Sequence, residues 1–210
     1  MIGKAVKKWA VEFEIINPRD FCEDKHKQID DYPYWWGAWM LLKAKPFVKA
    51  VEQIIKKIKK QDFKIVYLAP SKKFFNQTKA YEYSKTKNLI FVSWRYEGVD
   101  ARFEQYLQKK YPNKFEKISI WPYITMWWEV PSMVIVESVV RLLPDVLDNP
   151  DSLLQESYSD NQNSIVEYPQ YTRPQKVFDM EVPEVLLSGN HQKIQQRREQ
   201  HTQQDNVDNQ

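Results

Sequence analysis

Glu97, Glu156, several cations and eight tryptophans are among the side chains of this sequence whose types allow chemistry or recognition. Glu97 stands in Arg95-Tyr96-Glu97-Gly98, beside Trp94 at the end of an apolar run. A carboxylate there can take a proton or hold a cation; its plain alternative is a surface ion pair. Glu156 lies in a polar stretch, where an acid is ordinarily solvated. Arg141 sits near the end of an apolar helical pattern, where a cation suits the macrodipole. Arg173, His191 and the cluster Lys193–Arg198 suit phosphate contacts, or form an ordinary charged surface. His26, between Lys25 and Lys27, reads as a surface residue, and Cys22 as a small buried side chain.

The tryptophans gather where a backbone turns. Tyr32-Pro33-Tyr34-Trp35-Trp36-Gly37-Ala38-Trp39 packs three indoles into five positions. Ser93-Trp94-Arg95 and Thr125-Met126-Trp127-Trp128 repeat the pattern at predicted strand ends. Only four of the 210 residues are glycine, where about 7% is usual. Glycine takes φ > 0 without steric cost and lets a ligand reach the backbone; tryptophan does neither. Either these loops form an aromatic surface, or the positions belong to glycine.

The elements that must hold these residues follow from periodicity. Val11–Ile16 reads as a strand, and Asn17-Pro18 as a capped helix start. Phe47, Val48, Val51, Ile54, Ile55 and Ile58 recur at helical spacing, with Lys56, Lys57, Lys59 and Lys60 crowding the last turn. Strands are expected at Lys64–Leu68, Asn88–Val92 and Glu116–Ile120. Helices are expected near Asn76–Lys85, from Val99 to about Lys110, and over Pro131–Leu143. This alternation predicts an α/β fold with a mostly parallel sheet covered on both faces. Ligands bind such sheets at the strands' carboxyl ends, so the loops after Leu68, Val92 and Ile120 are the place to look.

Composition sets further bounds. At 210 residues the chain can bury a sizeable core. A formal charge of +3 and a pI near 8.7 permit a polyanionic partner without requiring one. Cys22 alone makes neither an internal disulfide nor a cysteine-based metal cage, which points to the cytoplasm. The start lacks the apolar core of a signal peptide, and Met133–Leu143 is interrupted by Glu137 and Arg141, so no membrane span is expected. Residues 1–147 form the expected cofactor-binding domain, 148–167 a polar linker, and 168–210 a small second domain. Asn190 caps a basic helix running to about Arg198, and the Gln-, Asn- and Asp-rich end from Glu199 is expected to be disordered.

Four strings occur in register over most of the chain. They are Asp30-Asp31-Tyr32-Pro33-Tyr34, Arg95-Tyr96-Glu97-Gly98-Val99-Asp100, Tyr168-Pro169-Gln170-Tyr171-Thr172-Arg173-Pro174 and Val182-Pro183-Glu184-Val185-Leu186-Leu187-Ser188-Gly189-Asn190-His191. Together they resemble the bacterial tRNA (guanine-37-N1)-methyltransferases, the TrmD family, from about Ile2 to Gln200. The resemblance implies an α/β domain of the SPOUT type, with a deep C-terminal trefoil knot that binds S-adenosylmethionine. A linker and a small helical domain that grips the tRNA anticodon stem-loop would follow, truncated here. Knots are rare exceptions to ordinary chain connection, and periodicity does not reveal one. The family also implies a homodimer whose active site straddles two subunits. Relatives carry a strand and helix upstream of Ile2 and helices beyond this chain's end, so a shortened form is expected.

The family's loops interpret the tryptophans. Its Pro-Tyr-Gly-Gly-Gly-x-Gly-Met aligns with Pro33–Met40, and its Gly-Arg-Tyr-Glu-Gly with Trp94–Gly98. Its Ile-Gly-Asp-Tyr-Val-Leu-x-Gly-Gly-Glu-Leu-Pro aligns with Ile120–Pro131. Trp9 also falls where relatives often have glycine, so all eight tryptophans map to glycine positions. This predicts a gene from an organism that reads UGA as glycine, translated with UGA as tryptophan. Adding eight glycines to the four present would bring the share close to the usual value of about 7%.

By resemblance, the cofactor site comprises Tyr67, Leu68, Pro70, Trp94, Glu97, Gly98, Ile120, Trp121, Pro122, Tyr123, Ile124, Thr125, Trp127, Trp128 and Pro131. Glu97 would face the cofactor's charged methionine end, and indoles at these positions would fill the pocket. Methylating guanine N1 requires loss of its proton while charge develops on O6. The family's linker aspartate aligns with Glu156, in Gln155-Glu156-Ser157-Tyr158, as the base, and Arg141 aligns with the arginine that activates guanine. Arg173, His191 and Arg198 would contact tRNA phosphates. Asp100 could serve a magnesium effect, although the sequence holds no metal cluster. Pro122, Lys72 and Arg197 depart from the family's aspartate, glycine and tryptophan. The leading expectation is an S-adenosylmethionine-dependent tRNA methyltransferase of EC class 2.1.1. Its rival is a catalytically inactive RNA-binding fragment, with a simple nucleotide-binding module a weaker third.

Overall fold

The computed structural model describes residues 1–34, 39–123, 125–149, 153, 156–158 and 165–204. The chain divides into two compact units, Met1–Asp148 and Asn149–Gln210. The first unit runs α1 (Ile2–Lys7), a 3-10 turn (Pro18–Phe21), β1 (Asp30–Asp31), β2 (Leu41–Leu42), α2 (Ala44–Lys57) and β3 (Phe63–Leu68). It continues with α3 (Gln77–Ser84), β4 (Asn88–Val92), α4 (Arg102–Lys110), β5 (Phe115–Ile118) and α5 (Glu129–Val140).

The central strand β3 is apolar almost throughout because it is covered on both faces. It pairs in parallel with β4 on one side and β5 on the other, giving the order β4-β3-β5. Alternating side chains of β3 then separate into two cores. Phe63, Ile65 and Tyr67 meet Phe47, Val51 and Ile55 of α2 and Phe103 and Leu107 of α4. Val66 and Leu68 meet Ala80 and Tyr83 of α3 and Ile135 and Val139 of α5. The crossovers β3-α3-β4 and β4-α4-β5 run in opposite directions, and a constant right hand puts their helices on opposite faces. Each fully buried side chain of this size contributes about 1.5–3 kcal/mol.

Polar groups close the open ends of this frame. Asn76 Oδ1 accepts from the Lys79 amide at 3.0 Å, capping α3. The Tyr83 hydroxyl donates to Glu116 at 2.9 Å, while Lys79 bridges Glu82 and Glu116 at 2.8 and 2.9 Å and Lys64 pairs with Glu82. At the end of α1 the Ala10 amide donates to Ala5 and the Trp9 amide to Val6, both at 3.0 Å. This double bond pattern is a Schellman stop, and Trp9 occupies its left-handed position with φ 59°.

Several elements differ from their sequence patterns. Val11–Ile16 forms no strand, since no ladder pairs it among the described residues. Val11 to Glu14 and Ile16 instead line a cavity of ≈ 780 Å³ together with Asn88 to Phe91 of β4. The Asn17-Pro18 start yields only a 3-10 turn, with Asn17 accepting from the Arg19 amide. Lys59 and Lys60 lie beyond α2 in left-handed conformations rather than in its last turn. The helix expected from Val99 begins at Arg102, the strand expected to Ile120 ends at Ile118, and α5 ends at Val140.

The second unit contains β6 (Ile165–Val166), β7 (Lys176–Val177), β8 (Met180–Glu181), α6 (Glu184–Leu187), α7 (His191–His201) and β9 (Gln203–Gln204). It is therefore not purely helical: β7 pairs with β8 and β6 with β9, both antiparallel. Asn190 accepts from the Lys193 amide at 3.1 Å and starts α7, which carries the helix through Glu199 to His201 rather than fraying at Arg198. Among the described residues no helix is long and apolar enough to cross a membrane.

Candidate active site

Because β3, β4 and β5 are parallel, their following loops leave from one edge of the sheet. Backbone bonds tie the first and third loops together. The Ala69 amide donates to Ile118 at 3.2 Å, the Phe75 amide to Ser119 at 2.8 Å, and the Ser119 amide to Lys73 at 2.9 Å. Ser93 joins the second loop to α5 through its 2.6 Å contact with the Ser132 hydroxyl.

The Trp94 indole lies across this edge. Its Nε1 donates to the Leu68 carbonyl at 2.6 Å, and its ring stands 5.0 Å from that of Trp128. It packs against both cores, so it covers the ends of the strands from either face. Gly98 has φ +119°, and a Cβ there would meet the Trp94 ring at 3.6 Å. Trp128 is only 6% exposed. These side chains occupy the space that a ligand at the strand ends would need.

Beside them Arg95 Nε donates to Glu129 Oε1 at 3.1 Å, and its guanidinium lies 4.4 Å from the Trp127 ring. The second carboxylate oxygen of Glu129 is buried without a hydrogen-bond partner among the described residues. Such an acceptor is costly to leave unmet. Sequence reasoning passed over Ser93, Ser132, Arg95 and Glu129 as site residues. Their partners lie more than thirty positions apart, and no local spacing signals them.

The remaining expected residues are distributed as follows. Tyr67 is buried in β3 against Phe103 and Phe115, and burial pushes its hydroxyl up to about 12, so it stays protonated. Leu68 is buried and offers its carbonyl, Pro70 is exposed, and Glu97 is exposed with its amide 3.5 Å from the Met40 carbonyl. Ile120 and Thr125 are half-buried; Trp121, Pro122, Tyr123 and Trp127 are exposed; Pro131 is buried in the first turn of α5. Ile124, together with Trp35 and Trp36, lies outside the described residues. Arg141 is the C-cap of α5 in the first unit, whereas Glu156 is half-buried in the second. Arg173 is exposed before a cis bond to Pro174, His191 opens α7, and the Arg198 guanidinium lies 4.9 Å from the Tyr168 ring.

Asp100 is engaged by Arg102, whose hydrogen bond holds the carboxyl below its ordinary range. Among the described residues no three His, Cys, Asp or Glu side chains gather as a metal site.

A parallel sheet with a ligand edge admits many activities, so comparison with other proteins decides the family. The sequence model described as tRNA (Guanine-1)-methyltransferase TrmD matches residues 1–210. The chain belongs to the TrmD family. It is 46% identical over 198 residues to a tRNA (guanine-N(1)-)-methyltransferase of Dictyoglomus turgidum, covering 94% of this chain and 75% of that protein. Similarity to the proteins of the same name from Geobacillus kaustophilus and Bacillus cereus is 43% and 41% identity. Those alignments cover 95% and 94% of this chain and 77% of each relative.

Proposed function

We propose that this protein transfers a methyl group from S-adenosylmethionine to N1 of the guanine that follows the anticodon, tRNA position 37. The observation that carries the reading is family membership over the whole chain, together with three family loops at one sheet edge. S-adenosylmethionine would supply an electrophilic methyl group. Glu156 accepts the N1 proton, and Arg141 steadies the charge growing on O6. Glu97 and the loops from Tyr67 to Pro131 form the cofactor site, while Arg173, His191 and Arg198 hold tRNA phosphates. Residues 1–147, 148–167 and 168–210 divide these tasks among cofactor domain, linker and tRNA-binding domain. The chain after β5 threads the family's knot, and the protein works in the cytoplasm.

The cofactor does not fit the sheet edge while Trp94 and Trp128 fill it. We infer that the eight tryptophan positions carry glycine in the working protein, from UGA codons read as glycine. Trp9 supports this independently, because its φ of 59° and 89% exposure suit a glycine helix stop and give the indole nothing to pack on. Finding UGG at most of the eight codons would remove the inference.

The protein acts as a homodimer. Along α5, Pro131, Ile135 and Val139 are buried, yet Val130, Met133 and Val134 form a second apolar stripe that is exposed. A helix apolar on opposite sides needs cover on both. Met133→Lys should convert the dimer to monomer in sedimentation velocity; an unchanged dimer would put the interface elsewhere. The activity test is a primer-extension stop at the target guanine, using the chain with glycine at all eight positions. Absence of a stop would overturn the enzyme reading in favour of RNA binding without catalysis.

A further inference from the structure

The second unit holds a cavity of ≈ 230 Å³ that none of the expected catalytic chemistry uses. Its walls include Tyr168, Tyr171, Leu186, Ile194, Arg197 and Arg198. Two kinds of surface meet here. Leu186 and Ile194 give an apolar floor, and the Arg198 guanidinium stacked on Tyr168 gives a flat, cationic wall. Tyr171 contributes a second ring that is 47% exposed. A bare phosphate site would need cations alone and gain nothing from rings or aliphatic side chains. RNA loops, by contrast, splay out single bases that stack on aromatic rings and guanidinium planes. The cavity is of a size for one such base, not for a helix or a peptide.

We propose that this pocket receives one unstacked nucleobase of the RNA substrate, with the adjoining phosphate held by Arg197. The base lies against the Tyr168–Arg198 layer and Tyr171, and its edge reaches the polar rim at Gln170. The site would position the RNA by a base that is not itself modified. The proposal rests on the reading of the chain as acting on tRNA, and it adds a specificity determinant to the phosphate contacts.

The test uses the full chain and an anticodon stem-loop RNA carrying 2-aminopurine at one loop position at a time. One position should lose fluorescence on binding. Tyr171→Ala should abolish that change and weaken binding about 5- to 150-fold, the range for losing one base–aromatic stack. Tyr171→Phe should retain both. Arg173→Ala should weaken binding while leaving the fluorescence change intact. Because Tyr171 is about half exposed and belongs to none of the core clusters among the described residues, its truncation leaves the core untouched. Tight binding with no position sensitive to Tyr171→Ala overturns the pocket alone. Failure of every stem-loop to bind overturns the pocket together with the RNA reading beneath it.

Discussion

At the carboxyl edge of the sheet, side chains from two loops, Trp94 and Trp128, close on one another over the end of β3; between Tyr168 and α7 side chains converge and leave a cavity of ≈ 230 Å³. The first place is organised by backbone. Parallel pairing of β3 with β4 and β5 brings the loops together whatever side chains they carry. Side-chain identity at Trp94 and Trp128 then decides whether the edge is open. The second place is organised by side chains of α6, α7 and the segment from Tyr168 to Tyr171. Backbone pairing can thus bring loops together while the side chains they carry fill the space between them.

The most disruptive test of the backbone-built edge is Phe103→Ala. Phe103 is fully buried, with its ring against Phe47 and Tyr67. The variant should lose about 3–5 kcal/mol in chemical denaturation. A loss near zero would mean that this core does not hold β3 in place.

Next in size is Trp94→Gly combined with Trp127→Gly and Trp128→Gly. Calorimetric affinity for S-adenosylmethionine should rise at least about 100-fold over the unmodified chain, near 2.7 kcal/mol. Unchanged affinity would show that the indoles are not what closes the edge.

Trp9→Gly probes the same substitution away from any ligand. Relief of a left-handed non-glycine residue should stabilise the chain by about 1 kcal/mol, read as a higher denaturation midpoint. Lys59 holds the corresponding position after α2 with φ 53°, so Lys59→Gly should give a similar gain. A destabilising Trp9→Gly would argue that this indole has a packing role of its own.

The smallest effect concerns acid. Hydrogen bonds from Lys64 and then Lys79 hold the Glu82 carboxyl below its ordinary 4.5. Its stabilising contribution is therefore complete above that pH and is lost as pH falls through the folded value. Glu82→Gln should flatten the fall in melting temperature below about pH 5. Since Glu82 is well exposed, the change should be slight. An unaltered acid profile would remove this network from the account of acid stability.

Legibility varied with the range of the governing interactions. The α2 stripe, the β3 run and the Asn190 cap were readable because each is set within a few residues. Val11–Ile16 was not, because an alternating segment becomes a strand only where a partner edge lies within hydrogen-bonding reach. The loops at the sheet edge were legible as strand ends, but the Trp94 contact with Leu68 and the Arg95–Glu129 pair join positions distant in sequence.

By itself the sequence determined the alternation of elements, the family and the odd placement of eight tryptophans, since hydrophobic period, motif order and composition are properties of the string. Only the tertiary structure decided that Trp94 bridges both cores, that Trp9 stands in a left-handed helix stop, and that Tyr168, Tyr171 and α7 enclose a base-sized cavity. Those outcomes depend on which distant atoms the folded backbone brings within contact, and no local pattern encodes that distance.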